Sequence, residues 1–331
     1  MKHRILLLLL LLVLPIGLMA QQLPSMHKKK VQKTGFMVSA SDFDYSVATD
    51  TIVRGARTQY EQVQRIYEWL CRNVEYDASQ QIRTADACWT QRKAACQGYC
   101  ELFYRLAEPL KLDVDLVYGH VKQREGGMAS DLHVWLAVKT EQGTVLMDPT
   151  WGAGRIVNGR FARNRAPLDW FDTDPKWFIF THFPEKKKFQ FLDKAIEQSV
   201  FERLPYASAV QEQIGWTAEG ALSAAMAQDM LFPVLHVGRH NKLRFLDVPR
   251  RRRLIVGKGY AFRLTGIEQG HVLCVTDASD KDIEAVIKEE NGTYTITVTP
   301  RQKGALRIGT RRQTDFFTAP HSAPLLEYVV E

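Results

Sequence analysis

Thr58-Gln59-Tyr60-Glu61 opens a stretch in which Val63, Ile66, Tyr67, Leu70, Cys71 and Val74 recur at helical spacing. A threonine followed three positions later by glutamate, ahead of an apolar stripe of that period, predicts a helix over about 58–74. Cys71 lies on the stripe, which makes it a packing thiol. The same period returns in Tyr99, Leu102, Phe103, Leu106 and Leu110, with Pro109 near its end, and predicts a second helix whose N-terminus lies at or just after Cys96. The pattern then drops to a period of two. Leu112, Val114, Leu116 and Tyr118 alternate with polar neighbours up to Gly119, and apolar runs follow at 132–138 and 144–148. These predict three strands. Lys139-Thr140-Glu141-Gln142-Gly143 is short enough to join the last two as an antiparallel hairpin.

Beyond residue 230 the runs become short and β-rich, at 242–248, 260–264, 271–275, 294–298 and 325–330. Asn291-Gly292 separates 285–287 from the alternating Tyr294, Ile296 and Val298, a hairpin signal that also accounts for the Asn291-Gly292-Thr293 sequon. This spacing predicts an all-β, immunoglobulin-like sandwich of roughly 90–100 residues. The stretch 207–230, rich in Ala, Gln and Glu, reads as a helical connection.

Composition narrows the class. Of 331 residues, 45% are hydrophobic and 24% charged, ordinary globular usage that excludes a disordered or collagen-like chain. Residues 1–20 begin Lys2-His3-Arg4, continue through an apolar run at 5–14, and reach Pro15 and the small Ala20. That order predicts a signal peptide, the run being short for a membrane span of about 20 residues. The mature protein is accordingly expected to be secreted or periplasmic, with no integral membrane segment, and residues 21–40 to form a polar extension. Setting aside Lys2 and Arg4 reduces the net charge from +7 to +5, too weak to argue for nucleic acid as a partner. Arg250 to Arg253 form a dense basic run whose usual explanation is a solvated edge.

Five cysteines, Cys71, Cys88, Cys96, Cys100 and Cys274, leave at least one thiol free in a monomer, and no CxxC or paired Cys/His spacing suggests a metal. No cofactor is expected either. A nucleophilic thiol needs a lowered pKa, a base in reach, and a group that orients the base. Cys96 at a helix N-terminus would have its thiolate favoured by the positive dipole end, with Gly98 allowing a tight turn behind it. His133 shares a strand face with Trp135 and Ala137, opposite Val134, Leu136 and Val138, so the His side is expected to line a cleft. If the hairpin turn holds an even number of residues, Asp148 falls on that same face and can orient the imidazole.

Ala95-Cys96-Gln97-Gly98-Tyr99-Cys100, Tyr118-Gly119-His120, His133-Val134-Trp135 and Asp148-Pro149-Thr150-Trp151 together resemble the ordered blocks of the transglutaminase-like superfamily. The segment from Trp69 to Asp77 is similar to the helix that precedes that core. Asp174-Pro175 through Thr181-His182-Phe183-Pro184-Glu185 to Phe191-Leu192 resembles the kyphoscoliosis peptidase branch. The likeness covers about residues 42–195. It implies an α+β fold, a papain-like transglutaminase core, with Cys96 as nucleophile, His133 as general base and then acid, and Asp148 as the orienting carboxylate. The Cys96 N–H would be one oxyanion donor, with Trp89 or Gln91 offered for the second. Cys100, where many relatives carry alanine, is expected to pack rather than to bond Cys96.

The expected layout is a signal peptide at 1–20, the extension at 21–40, the cysteine-hydrolase core at 41–200, the connection at 201–230 and the sandwich at 231–331. The implied reaction is acyl transfer on peptide or isopeptide amides of a protein or peptide substrate, envelope or extracellular, with hydrolysis the leading outcome. Amine-accepting crosslinking is the variant of the same chemistry. A non-catalytic envelope protein-binding module is the alternative from a different class.

Overall fold

A computed structural model describes residues 38–123, 127–228, 230–238, 242–313 and 322–331. The expected signal peptide at 1–20 and nearly all of the expected extension at 21–40 lie outside these residues. Helix α1, Ser46–Ile52, precedes α2, Gln59–Asn73. The sequence signal for α2 is realised atom by atom: Thr58 Oγ1 accepts the Glu61 N–H at 3.1 Å, while Glu61 reaches back to the Arg57 N–H at 2.6 Å, one residue upstream of the usual capping-box partner. Its buried side is the predicted stripe of Val63, Ile66, Tyr67, Leu70 and Cys71.

Strand β1, Glu75–Tyr76, pairs in parallel with β2, Lys93–Ala94, around helix α3, Ala85–Gln91. Strand β2 hands over through Ala95 to α4, Cys96–Ala107. Ala95 has no side-chain oxygen with which to cap this helix. Gly98 serves close approach rather than the turn expected of it: it lies within α4, where a Cβ would come 2.9 Å from both the Ala94 Cβ and the Ile82 carbonyl oxygen.

Antiparallel strands β3, Asp113–Val121, β4, His133–Thr140, and β5, Gly143–Met147, follow. The β4–β5 register pairs Thr140 with Gly143 and Leu136 with Met147, so the turn is the two residues Glu141 and Gln142. An even turn keeps the parity on which the Asp148 placement depended. Val134, Leu136 and Val138 pack with α2 and α4 in the largest core cluster. The opposite face is less open than a cleft wall: Trp135 and Ala137 are covered by Trp170, Phe178 and Phe189, and His133 itself is only 9% exposed.

Helix α5, Pro149–Ala153, leaves β5 and leads into the small hairpin of β6, Gly154–Val157, and β7, Arg160–Arg163. Helix α6, Pro175–Phe178, then delivers β8, His182–Pro184, to the far side of β3, giving the sheet order β5-β4-β3-β8. Helices α7, Gln198–Arg203, and α8, Ala218–Ala227, with a 3-10 helix over Ala209–Ile214, enclose an apolar cluster of their own that includes Phe180, Phe183, Phe201, Leu222 and Phe232. The stretch read as a connection is thus a packed body. Lys122, just past β3 and 2% exposed, ties it to the sheet by donating to the carbonyls of Phe201 at 2.6 Å, Glu202 at 3.3 Å and Leu204.

Nine strands follow among the described residues: β9, Val234–Leu235; β10, Arg244–Asp247; β11, Arg253–Leu254; β12, Tyr260–Thr265; β13, His271–Thr276; β14, Ala285–Glu290; β15, Thr293–Val298; β16, Gly304–Arg312; and β17, Ala323–Val330. They form two sheets, β10-β12-β15-β14 and β11-β17-β16-β13 with β9 on β17. Phe262, Leu264, Ile296 and Val298 of one sheet meet Leu306, Ile308, Leu326 and Tyr328 of the other, so the two sheets pack as a β-sandwich. Asn291 and Gly292 take φ of 51° and 76°, the conformation that a two-residue hairpin turn demands. The arginine run is not simply solvated, since Arg252 pairs with Glu327 at 3.2 Å and Arg253 with Glu331 at 3.1 Å. Among the described residues no helix is long and apolar enough to cross a membrane.

Candidate active site

Three elements converge at the N-terminus of α4. The helix presents Cys96 on its first residue, β4 presents His133 on its first residue, and Asp148 stands between β5 and α5. The Cys96 thiol hydrogen-bonds with the His133 ring and takes a second bond from the Val134 N–H. His133 Nε2 lies 2.8 Å from Asp148 Oδ2, leaving Nδ1 as the nitrogen for the sulfur. Asp148 is fully buried, and its Oδ1 caps α5 by accepting the Thr150 and Trp151 N–H groups at 2.8 and 3.1 Å. All three residues singled out from the sequence are therefore in one hydrogen-bonded line.

The electrostatics follow from that line. Burial opposes the Cys96 thiolate, but the His133 hydrogen bond and charge, with the Val134 N–H, outweigh it and bring the thiol below its ordinary value. Burial likewise opposes a charged His133, yet Asp148 and then Cys96 raise its pKa to about 10. Asp148, despite its burial, is held well below the usual carboxylate range by His133 and His182. The arrangement shifts the balance toward the thiolate–imidazolium pair relative to an isolated thiol and imidazole.

The other thiols differ in kind. All five cysteines are free, and burial pushes Cys88 up to about 12, Cys274 up to about 11, and Cys71 and Cys100 above their ordinary value. Cys100 lies against the Val134 carbonyl at 3.5 Å, a packing role as expected. Trp89, offered as an oxyanion donor, has its ring committed to a stack on Trp69 with centroids 5.1 Å apart and the Arg92 guanidinium 4.2 Å above it.

Sequence reasoning missed the part played by His182, which entered only as a letter in a longer segment. Its Nε2 lies 3.1 Å from the same Asp148 Oδ2 that faces His133. The ligand atoms of His133, Asp148 and His182 lie within 4.8 Å of one another, close enough to consider a cation, but the carboxylate oxygen and the two Nε2 atoms are already spent on each other.

A model of the transglutaminase-like superfamily core matches residues 47–149, an interval that holds Cys96, His133 and Asp148. Kyphoscoliosis peptidase of Homo sapiens is 30% identical over 169 residues, covering 47% of this chain and 25% of that protein. Lim and transglutaminase domain protein ltd-1 of Caenorhabditis elegans is 26% identical over 180 residues, 48% of this chain and 25% of that one. The match thus spans about a quarter of the length of these relatives. A solved TGase structure shares 18% identity at a TM-score of 0.26 over 36% of this chain and 35% of that one, a slight likeness. Residues 47–149 are thus similar to the transglutaminase-like superfamily core, and the chain resembles the kyphoscoliosis peptidase branch.

Proposed function

We propose that the chain is a thiol acyl transferase that cleaves peptide or isopeptide amides, exported by its leader-like residues 1–20, with Cys96, His133 and Asp148 as its triad. The observation that carries this reading is the continuous line from the Cys96 thiol through the His133 ring to Asp148 Oδ2. The thiolate attacks the amide carbonyl, and the tetrahedral intermediate collapses by breaking the C–N bond as His133 gives its proton to the departing amine. Water then attacks the thioester, His133 takes the proton from it, and release of the acid restores the thiolate–imidazolium pair. The uncapped first turn of α4 offers N–H groups, that of Cys96 among them, to the oxyanion.

Incubation of wild type and Cys96→Ala with a peptide library and a primary-amine probe, read by mass spectrometry, tests this reading. Cleavage that requires Cys96 supports hydrolysis, amine incorporation selects crosslinking, and neither reaction in wild type leaves the envelope-binding module as the better account.

A further inference from the structure

The Asp148 carboxylate is shared. Oδ1 is spent on α5, and Oδ2 faces His133 Nε2 at 2.8 Å and His182 Nε2 at 3.1 Å. A triad needs only the first of these rings. The second is 1% exposed and lies flat on Phe178, centroids 4.0 Å apart and planes 17° apart, with Trp135 edge-on at 5.0 Å and Trp151 and Trp170 alongside. Its Nδ1 lies 2.8 Å from Thr181 Oγ1.

Proton counting fixes one nitrogen of this ring, and burial the other. An ionised carboxylate only accepts, so His182 Nε2 must carry a hydrogen. A neutral ring then has a bare Nδ1, which takes the Thr181 hydroxyl hydrogen at 2.8 Å when that hydroxyl turns from its other acceptor, the Phe178 carbonyl at 3.2 Å. Burial, only partly offset by Asp148 and reinforced by the neighbouring His133, drops the His182 pKa to about 4, so the ring is neutral at pH 7.

We propose that His182 is a positioning residue, a second imidazole that donates to the same Asp148 oxygen, fixes the carboxylate against His133 and tempers its hold on the His133 proton. The proposal rests on the triad reading above. A carboxylate whose Oδ2 served His133 alone would bind that proton more tightly and make the ring a poorer acid toward a departing amine. The titratable groups facing His133 are Cys96 from α4, Asp148 before α5 and His182 from β8. Those facing His182 are Asp148 and His133, its remaining neighbours Phe178, Trp135, Trp151, Trp170 and Thr181 being uncharged.

Ring-nitrogen NMR of the full chain with labelled histidine reads both rings without a substrate. In wild type at pH 7, His182 is expected as the neutral Nε2–H tautomer, and a charged or Nδ1–H ring overturns the proposal. In His182→Phe, which keeps the aromatic packing and loses the donor, the His133 midpoint should rise by about half a pH unit or more, with acylation slowed about threefold or more. His182→Gln restores an N–H near the place of Nε2 and should return both toward wild type. An unmoved His133 midpoint, or a Gln variant no better than Phe, refutes the role. If His182→Phe does not fold, the wild-type tautomer decides. Slow alkylation of wild-type Cys96 below neutral pH would instead remove the triad reading, while the His133 midpoint would still report whether His182 acts on that ring.

Discussion

A methyl group placed on Gly152 would lie 2.0 Å from the Tyr67 hydroxyl. Tyr67 is fully buried on α2, its hydroxyl donating to the Pro167 carbonyl at 2.6 Å, while the Gly152 N–H donates to the Asp148 carbonyl at 2.9 Å. The phenol is thus seated against the helix that Asp148 begins, and glycine is required there for space. Gly152→Ala should cost about 1–3 kcal/mol in urea denaturation, typical of overpacking, and should slow Cys96 alkylation by displacing α5. Tyr67→Phe, which alone removes a hydrogen bond of about 1 kcal/mol, should offset part of that loss in the double variant. Strict additivity would contradict the contact.

The thiols should separate cleanly by reactivity. Because Cys96 titrates below its ordinary value and His133 near 10, the thiolate–imidazolium pair should persist across neutrality. Iodoacetamide should alkylate one cysteine rapidly at pH 6, with Cys71, Cys88, Cys100 and Cys274 reacting only after denaturation. His133→Ala leaves burial opposed only by the Val134 N–H and should slow Cys96 by about tenfold or more at that pH. Equal rates in the two proteins would contradict the hydrogen bond.

Stability should fall on both sides of neutrality for opposite reasons. His182 has its pKa lowered to about 4, against about 6.5 for an unfolded histidine. The unfolded chain binds the extra proton between these values, so this contribution is full above about pH 6.5 and is lost as pH drops toward 4. Asp148, also lowered, adds a loss below its unfolded value of about 3.9. His133 is raised to about 10, so its contribution is full below about 6.5 and is lost as pH rises through 10. Urea midpoints across pH should show His182→Gln flattening the slope between about pH 4 and 6.5 while the alkaline slope remains. An unchanged acid slope would show that the buried ring is already charged.

Lys122→Met keeps an unbranched stem but strips the carbonyls of Phe201, Glu202 and Leu204 of their shared donor. Leaving such acceptors unmet should cost about 1–3 kcal/mol in urea denaturation. An unaltered midpoint would mean that these carbonyls find other donors.

What could be read in the chain was what short-range order determines. Helix α2 was visible because its cap and stripe both lie between Thr58 and Val74, and the shared face of His133 and Asp148 was visible because a two-residue turn fixes the parity between them. His182 was not, since β8 is three residues long, too short for any period, and the ring gains its meaning from a carboxylate 34 positions earlier. The cover over Trp135 is likewise tertiary, built by Trp170, Phe178 and Phe189 from beyond the hairpin. Strand β16 escaped because Arg307, Arg311 and Arg312 mask the alternation of Leu306 and Ile308. Glu327 and Asp282 neutralise Arg307 and Arg311, partners that only the folded sheet brings near.

Asp148 divides its two oxygens between unrelated tasks, Oδ1 starting α5 and Oδ2 receiving the rings. A lineage that abandoned the thiol chemistry would still be under selection to keep this aspartate for its helix. Cys96, half-buried at the margin of the core, would be free to drift. In any chain of this build, then, an intact aspartate testifies only to folding, and it is the cysteine that betrays whether the enzyme is still in use.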